Sequence, residues 1–240
     1  MCALDELNPR EISVLLRGEP EKIAAWTGQW SARRFALQVV VIVVGAGLYG
    51  AAMGWWRDPQ QALYVAVKFP LIILLTTAGT ALLNAMLAPL LGLNIPFRQS
   101  FLAILMSFTM AAAILGSFAP LAAFMVWNAP PMSPEVKISG GTYSFIMLTH
   151  VMVIAFAGIA ANLRLMQLIR RFSGNRIAVA RRVLFVWLAG NLFLGSQLSW
   201  ILRPFIGSPN LPVQFLREAA FKGNFYEAVF HSFINVLNFD

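Results

Sequence analysis

Five long apolar runs, separated by short polar segments, fill the chain between Phe35 and Leu202. The helical crossing of a bilayer's hydrocarbon core takes about 20 residues, and every run is at least that long and free of Asp, Glu, Lys and Arg. The pattern predicts an all-α membrane protein with five transmembrane helices. The runs are residues 35–56, 69–93, 101–127, 143–163 and 183–202.

The composition agrees with a membrane domain and excludes a soluble one. Hydrophobic residues make up 59% of the chain and charged residues 12%, whereas soluble domains have about 25% charged residues. We expect a five-helix domain over residues 35–202, flanked by an N-terminal segment, 1–34, and a C-terminal segment, 203–240. These lengths leave no room for a separate folded soluble domain.

The net charge of +8 is explained better by membrane topology than by nucleic-acid binding, because Lys and Arg collect in cytoplasmic loops. A cytoplasmic N-terminus puts 12 of the 18 basic residues on the cytoplasmic side. We therefore predict an N-in, C-out protein, with the bacterial cytoplasmic (inner) membrane as its location. The 12 residues are Arg10, Arg17, Lys22, Arg33, Arg34, Arg98, Arg164, Arg170, Arg171, Arg176, Arg181 and Arg182.

Both terminal segments have the pattern of amphipathic interfacial helices. In the first, Asn8 and Pro9 suit a helix start, and tryptophans precede the basic pair before the first span. In the last, prolines at 204, 209 and 212 end the fifth helix, and an aromatic helical face starts at Phe225. This final helix either lies on the membrane surface or docks onto a partner subunit.

Small and polar residues inside the spans predict how the helices pack. Gly50 and Gly54 form a G-x-x-x-G step, which serves internal packing or dimerisation. Lys68, just before the second run, is expected to extend its ammonium to the headgroups. Span five carries polar or small residues on every side, such as Asn191 and Gln197, so we expect it to be central in the bundle.

The polar residues within the spans are candidates for a functional site. Thr76, Thr77, Thr80 and Asn84 fall on one side of span two, either as packing contacts or as the lining of a hydrated path. His150 is the only ionisable side chain in a run, and it serves either structure or function. The intramembrane polar candidates are Thr76, Thr80, Asn84, His150, Asn191 and Gln197.

The sequence gives little support for catalysis or metal binding. Every carboxylate lies in a tail or loop, and the sequence has no phosphate-binding loop, dinucleotide-binding glycine pattern or zinc-protease motif. Cys2, His150 and His231 match no ligand spacing. We predict no catalytic residues, no metal and no cofactor.

Two stretches resemble known membrane proteins. Residues 197–226 resemble the C-terminal signature of a poorly characterised family of bacterial integral membrane proteins. Residues 91–120, with Gly92, Phe97, Arg98, Gln99 and Pro120, are similar to the five-span Yip1-like proteins. Eukaryotic Yip1-like proteins are associated with vesicle trafficking and partner binding. The resemblance implies five spans and no known reaction.

These observations favour a non-enzymatic accessory or scaffold subunit of a membrane complex, which binds membrane lipids and a protein partner or a second copy, and no nucleic acid. The alternative is a transporter or channel for a lipid or small solute, using the polar stripe of span two together with span five. An enzyme acting on lipid headgroups through His150 and Arg203 is the third hypothesis. The partner- or lipid-binding candidates are Arg203, Trp200, Phe205, Arg217, Tyr226, Phe230, Arg170 and Arg171.

Overall fold

A computed structural model describes residues 31–132, 140–207 and 212–227. In these ranges the chain is helical, without any strand. All five helices are long and apolar enough to cross a membrane, which confirms the predicted all-α class with five candidate spans. The helices are α1 (Ala32–Trp55), α2 (Pro59–Leu90), α3 (Phe97–Trp127), α4 (Gly140–Phe172) and α5 (Ile177–Leu202).

Local sequence sets where several helices begin and end. The Ser31 side chain accepts from the backbone N–H of Arg34 at the start of α1, and Asp58 accepts from the N–H of Gln60 at the start of α2. Gly174 and Asn175 take positive φ angles of 61° and 63° between α4 and α5. Serine and aspartate side chains at the start of a helix satisfy the exposed N–H groups of its first turn. Glycine and asparagine tolerate the left-handed backbone conformation of the turn.

The helices are longer than their apolar runs, and the difference is largest for α4 and α2. The second starts at Pro59, ten residues before its run, so the stretch 61–68 extends the helix rather than lying on the membrane surface. The fourth continues to Phe172, and a turn at Gly174 and Asn175 then separates it from the fifth. Amphipathic segments beside an apolar run can continue its helix, but a pattern based on hydropathy alone does not include them.

Glycines on α1 bring its backbone against two neighbouring helices. A side chain at Gly45 would collide with the carbonyl oxygen of Ala112 on α3. Cβ atoms at Gly50 and Gly54 would lie 2.7 Å from the carbonyl oxygens of Val65 and Gln61 on α2. The G-x-x-x-G step is therefore used for packing inside the chain, where small residues let helices approach closely.

The bundle has two ends, which differ in composition. The arginine end carries the α2–α3 and α4–α5 turns with the start of α1, and the C-terminal end carries the α1–α2 turn with the segment after α5. At the arginine end, α2, α3, α4 and α5 share an apolar cluster that includes Trp187. At the C-terminal end, α1, α3 and α4 share a second cluster that includes Tyr49.

The prediction that span five is central is wrong. Only 17% of its most apolar window is buried, the lowest share among the five helices, against 56% for α3. Its helix contacts are with α2 and α4. The polar residues of α5 face one helix and the C-terminal segment instead of a ring of helices, so a polar composition on several sides did not require a central position.

Two predicted features lie outside the described residues. Residues 1–30, which hold most of the N-terminal amphipathic segment, are not described, and neither are residues 228–240 with Phe230. Of the predicted C-terminal aromatic helix, only residues 225–227 are described, and they are helical.

Candidate functional site

The α2 helix faces α5 through its polar stripe. A Cβ atom at Gly195 would lie 3.7 Å from Thr76 Oγ1, and one at Gly190 would lie 3.6 Å from Thr80 Cγ2. The two helices run in opposite directions, so a step of one turn along α2 corresponds to a step of one turn back along α5. The same register places Asn84 opposite Trp187. We call this α2–α5 interface the polar seam.

The polar atoms of the seam are buried without hydrogen-bond partners within the described part of the chain. Leaving one such group unsatisfied costs about 1–3 kcal/mol. By contrast, the hydroxyl of the neighbouring Thr77, also on α2, donates to the carbonyl of Ile73 at 2.7 Å. Of the predicted stripe, Thr77 is therefore satisfied by its own helix, whereas Thr76, Thr80 and Asn84 keep unpartnered atoms. The unpartnered atoms are Thr76 Oγ1, Thr80 Oγ1, Asn84 Nδ2, Trp187 Nε1 and Asn191 Oδ1.

His150 lies on α4, away from the seam. Its Nδ1 shares a hydrogen bond of 2.9 Å with the hydroxyl of Tyr49 on α1. The two rings meet edge to face, with centroids 5.6 Å apart, and His150 is 3% exposed. A hydrogen bond between two buried side chains of separate helices supports the structural interpretation of His150. Among the described residues, no three His, Cys, Asp or Glu side chains are placed to hold a metal ion.

The chain leaving α5 is held by two side chains from the first turns of α2. Gln61 Nε2 donates to the carbonyl oxygens of Pro204 at 2.9 Å and Phe205 at 3.1 Å. Lys68 Nζ donates to the carbonyl oxygens of Pro204 at 3.3 Å and Gln214 at 3.5 Å. We call this arrangement the C-terminal clamp.

Lys68 does not reach the headgroups, so that prediction is wrong. The side chain is 0% exposed, and its ammonium lies 5.2 Å from the centre of the Phe215 ring. Backbone carbonyls and an aromatic face replace the water and headgroups that a snorkelling lysine would reach. The folded C-terminal segment therefore covers the position where the ammonium would have emerged.

Arg203 and Trp200 contact each other. The guanidinium carbon of Arg203 lies 3.4 Å from the Trp200 ring centre, and Nη1 donates to the Trp200 carbonyl at 2.8 Å. Burial, and then the charge of Arg217, lower the pKa of Arg203, but an arginine stays charged under any ordinary condition. The contacts described for these partner-binding candidates thus lie within the chain.

Tyr226 lies against the side of α5. Its hydroxyl is 2.7 Å from Ser196 Oγ, and its ring stacks on Phe193 with centroids 5.4 Å apart. The N–H of Phe225 donates to Gln197 Oε1 at 3.4 Å. Ser196 stands six residues before the end of α5, or about 9 Å along the axis. The C-terminal segment therefore turns back along α5.

Phe205 connects the clamp to the core through Phe69, whose ring it meets edge to face at 6.1 Å. Phe69 in turn contacts the ring of Tyr49 at 6.1 Å. Gln61 was missed as a site residue, although its spacing from Lys68 is seven residues, about two helical turns, which puts both on one face. Extending the second helix back to Pro59 would have revealed that face.

Arg170 and Arg171 are exposed at the arginine end, as lipid- or partner-binding residues would need to be. Arg171 borders a shallow cleft of about 570 Å³, which Gln99, Phe172 and Asn175 also line. The cleft is far from the C-terminal clamp along α4 and α5. The candidate residues therefore do not form one site, since the seam, the C-terminal segment, the contact of His150 with Tyr49 and the arginine end lie apart.

Comparison with known proteins adds no assignment to this geometry. The chain matches no family model, no curated protein and no solved structure. The resemblance to Yip1-like proteins therefore remains a prediction from the sequence.

Proposed function

We propose that this chain is a non-enzymatic accessory or scaffold subunit of a membrane complex, and that α4 and α5 form its partner-binding surface. The observation that carries the proposal is their low burial. Only 22% of the α4 window and 17% of the α5 window are buried, against 39% to 56% for the other three helices.

The apolar cluster that α4 and α5 share lies near the arginine end. There, Leu165 and Leu168 of α4 share the apolar cluster with Val183 and Trp187 of α5. Farther along α5, none of residues 188–201 is buried. In α4, a Cβ added at Gly158 would have nothing within 4 Å. The halves of α4 and α5 near the C-terminal end therefore offer helix surface for a partner.

Polar side chains on this part of α5 favour protein over lipid as the neighbour. Asn191 and Ser199 are partly exposed, and polar side chains in a bilayer stabilise contacts between helices. The proposed orientation keeps the arginine end in the cytoplasm, where its basic residues favour anionic lipid headgroups. A bacterial cytoplasmic membrane fits this arrangement.

Photo-crosslinking in native membranes tests the proposal. A photoreactive amino acid at Leu192 on α5 or Met152 on α4, which are 70% and 69% exposed, is expected to give one discrete protein adduct. The matched control is Leu48 on α1, 56% exposed, which should react with lipid alone. Equal protein crosslinking from all three positions, or lipid adducts from all three, would contradict a partner surface on α4 and α5.

The polar seam favours a second candidate, a transporter or channel for a small solute. Its unpartnered polar atoms lie between two helices, one of which is poorly buried. Such groups within a membrane mark candidate substrate paths.

Cysteine labelling tests this second candidate. In a Cys2→Ala background, cysteines placed at Thr80 and Asn191 are expected to react with a membrane-impermeant thiol reagent because a water-accessible path reaches them. A cysteine at Thr109, whose hydroxyl donates to its own helix at Leu105 in the wild type, should stay unreactive. Inertness at both seam positions would remove the transport hypothesis.

A further inference from the structure

The seam combines hydrogen-bond donors and acceptors without any charged side chain. Thr76 and Thr80 bring hydroxyls, Asn84 and Asn191 bring carboxamides, and Trp187 brings an indole N–H. A hydroxyl can donate and accept, a carboxamide offers both functions on separate atoms, and the indole donates only. Thr76 and Thr80 lie against the glycines of α5, and helical register puts the other three side chains along the same interface. Unpartnered groups of both kinds are therefore aligned along the seam.

We propose that the polar seam binds a small uncharged solute rich in hydrogen-bonding groups, of the size and chemistry of urea or glycerol. The inference rests on the second candidate function and names its ligand class. Such molecules accept from N–H groups and donate to oxygens within one short span, so they can satisfy neighbouring seam atoms together.

The composition of the seam disfavours ions. A bound cation needs oxygen ligands around it, yet Asn84 Nδ2 and Trp187 Nε1 present N–H groups to the interface. A bound anion needs positive charge, and the nearest basic residue along α2, Lys68, directs its ammonium at the carbonyls of the C-terminal clamp. Removing an ion from water without a compensating charge is far more costly than removing a neutral amide or hydroxyl.

The packing of α5 allows a solute to enter. A Cβ atom added at Gly190 or Gly195 would lie at ordinary contact distance from Thr80 or Thr76, so the glycines leave about the space of a methyl group beside each threonine. Because α5 is the least buried helix, moving it away from α2 disrupts little other packing. The glycines also supply a way to fill the seam, since a methyl group at Gly195 would lie 3.7 Å from Thr76 Oγ1 without collision.

Solute flux into proteoliposomes tests the inference, with urea and glycerol as the probes. Liposomes shrink when they are mixed with either solute and regain volume as the solute enters. Stopped-flow light scattering should show faster recovery of volume with the wild-type protein than in protein-free liposomes. Thr80→Val and Asn191→Leu each remove a hydrogen bond to the solute and should lower the protein-dependent flux about 5- to 10-fold. Thr77→Val is the matched control, because the Thr77 hydroxyl already bonds its own helix, and it should leave flux unchanged.

Gly195→Ala is the second variant, chosen because its methyl group fits the seam, and it should also lower flux while the protein elutes as the wild type does. Urea and glycerol flux at the protein-free rate would overturn the inference, as would an equal loss in Thr77→Val. Faster flux of sodium or formate than of urea would show that the path carries ions in preference to neutral solutes. That result would overturn the inference but still support the transport function. The absence of any flux, together with unreactive cysteines at positions 80 and 191, would contradict both the inferred solute class and the transport function.

Discussion

Gly45→Ala is expected to destabilise the bundle by about 3 kcal/mol or more, because overpacking a tight contact usually costs about 1–3 kcal/mol and backbone cannot give way as a side chain can. The added methyl group would overlap the carbonyl of Ala112 and force α1 away from α3. Gly116 of α3 also packs against Gly45, since a Cβ atom added at Gly116 would lie 2.8 Å from the Gly45 Cα. Moving α1 away from α3 would break that contact too. Thermal unfolding in detergent, followed by loss of the monodisperse peak in size-exclusion chromatography, measures the effect.

Gly158→Ala is the matched control, since it makes the same change in another helix where nothing lies within 4 Å of the new atom. Alanine is favoured over glycine in a helix by about 0.5–1 kcal/mol, so this variant should be as stable as the wild type or slightly more stable. If both variants lost stability equally, the destabilisation would come from glycine removal in general and not from the α1–α3 contact.

Gln61→Leu is expected to loosen the C-terminal clamp by about 3 kcal/mol, which corresponds to about a hundredfold rise in hydrogen exchange over residues 203–217. Leucine keeps the size and burial of the side chain but cannot donate to Pro204 and Phe205. The Phe205 carbonyl then loses its described partner, and the Pro204 carbonyl retains only Lys68. Mass spectrometry of the exchanged peptides gives the measurement.

Gln60→Leu provides the comparison, because this neighbour is exposed and its amide bonds only the Tyr64 hydroxyl. Exchange over residues 203–217 should stay at the wild-type level in that variant. Faster exchange over residues 203–217 in both variants would mean that the start of α2 as a whole, and not the Gln61 amide, positions the chain after α5. Unchanged exchange in Gln61→Leu would mean that Lys68 alone suffices.

The sequence was sufficient for the helices, because the hydropathy of a membrane span depends on residues within one segment. The five uncharged runs predicted five long helices, and the structure has them. The stripe of Thr76, Thr80 and Asn84 was also visible in the sequence, since helical spacing alone puts those residues on one face.

The sequence was insufficient where a residue's environment comes from distant parts of the chain. Lys68 was expected in the headgroups, but its ammonium meets carbonyls of Pro204 and Gln214, more than a hundred residues later. The position of α5 was misjudged for a similar reason, because Gln197 is satisfied by the backbone of Phe225 and not by another span. Composition reports which groups need partners, and folding decides which part of the chain supplies them.

The contact between Gly45 and Ala112 has a consequence for biogenesis. Gly45 acquires its partner on α3 only after about 67 more residues have been synthesised, which takes on the order of 3 to 13 seconds at about 5–20 residues per second. During that interval α1 depends on its hydrophobicity, on the arginines at its start and on the contacts of Gly50 and Gly54 with α2 for retention in the bilayer. A ribosome stalled before α3 has emerged would therefore leave α1 inserted with its Gly45 face open to membrane chaperones and proteases.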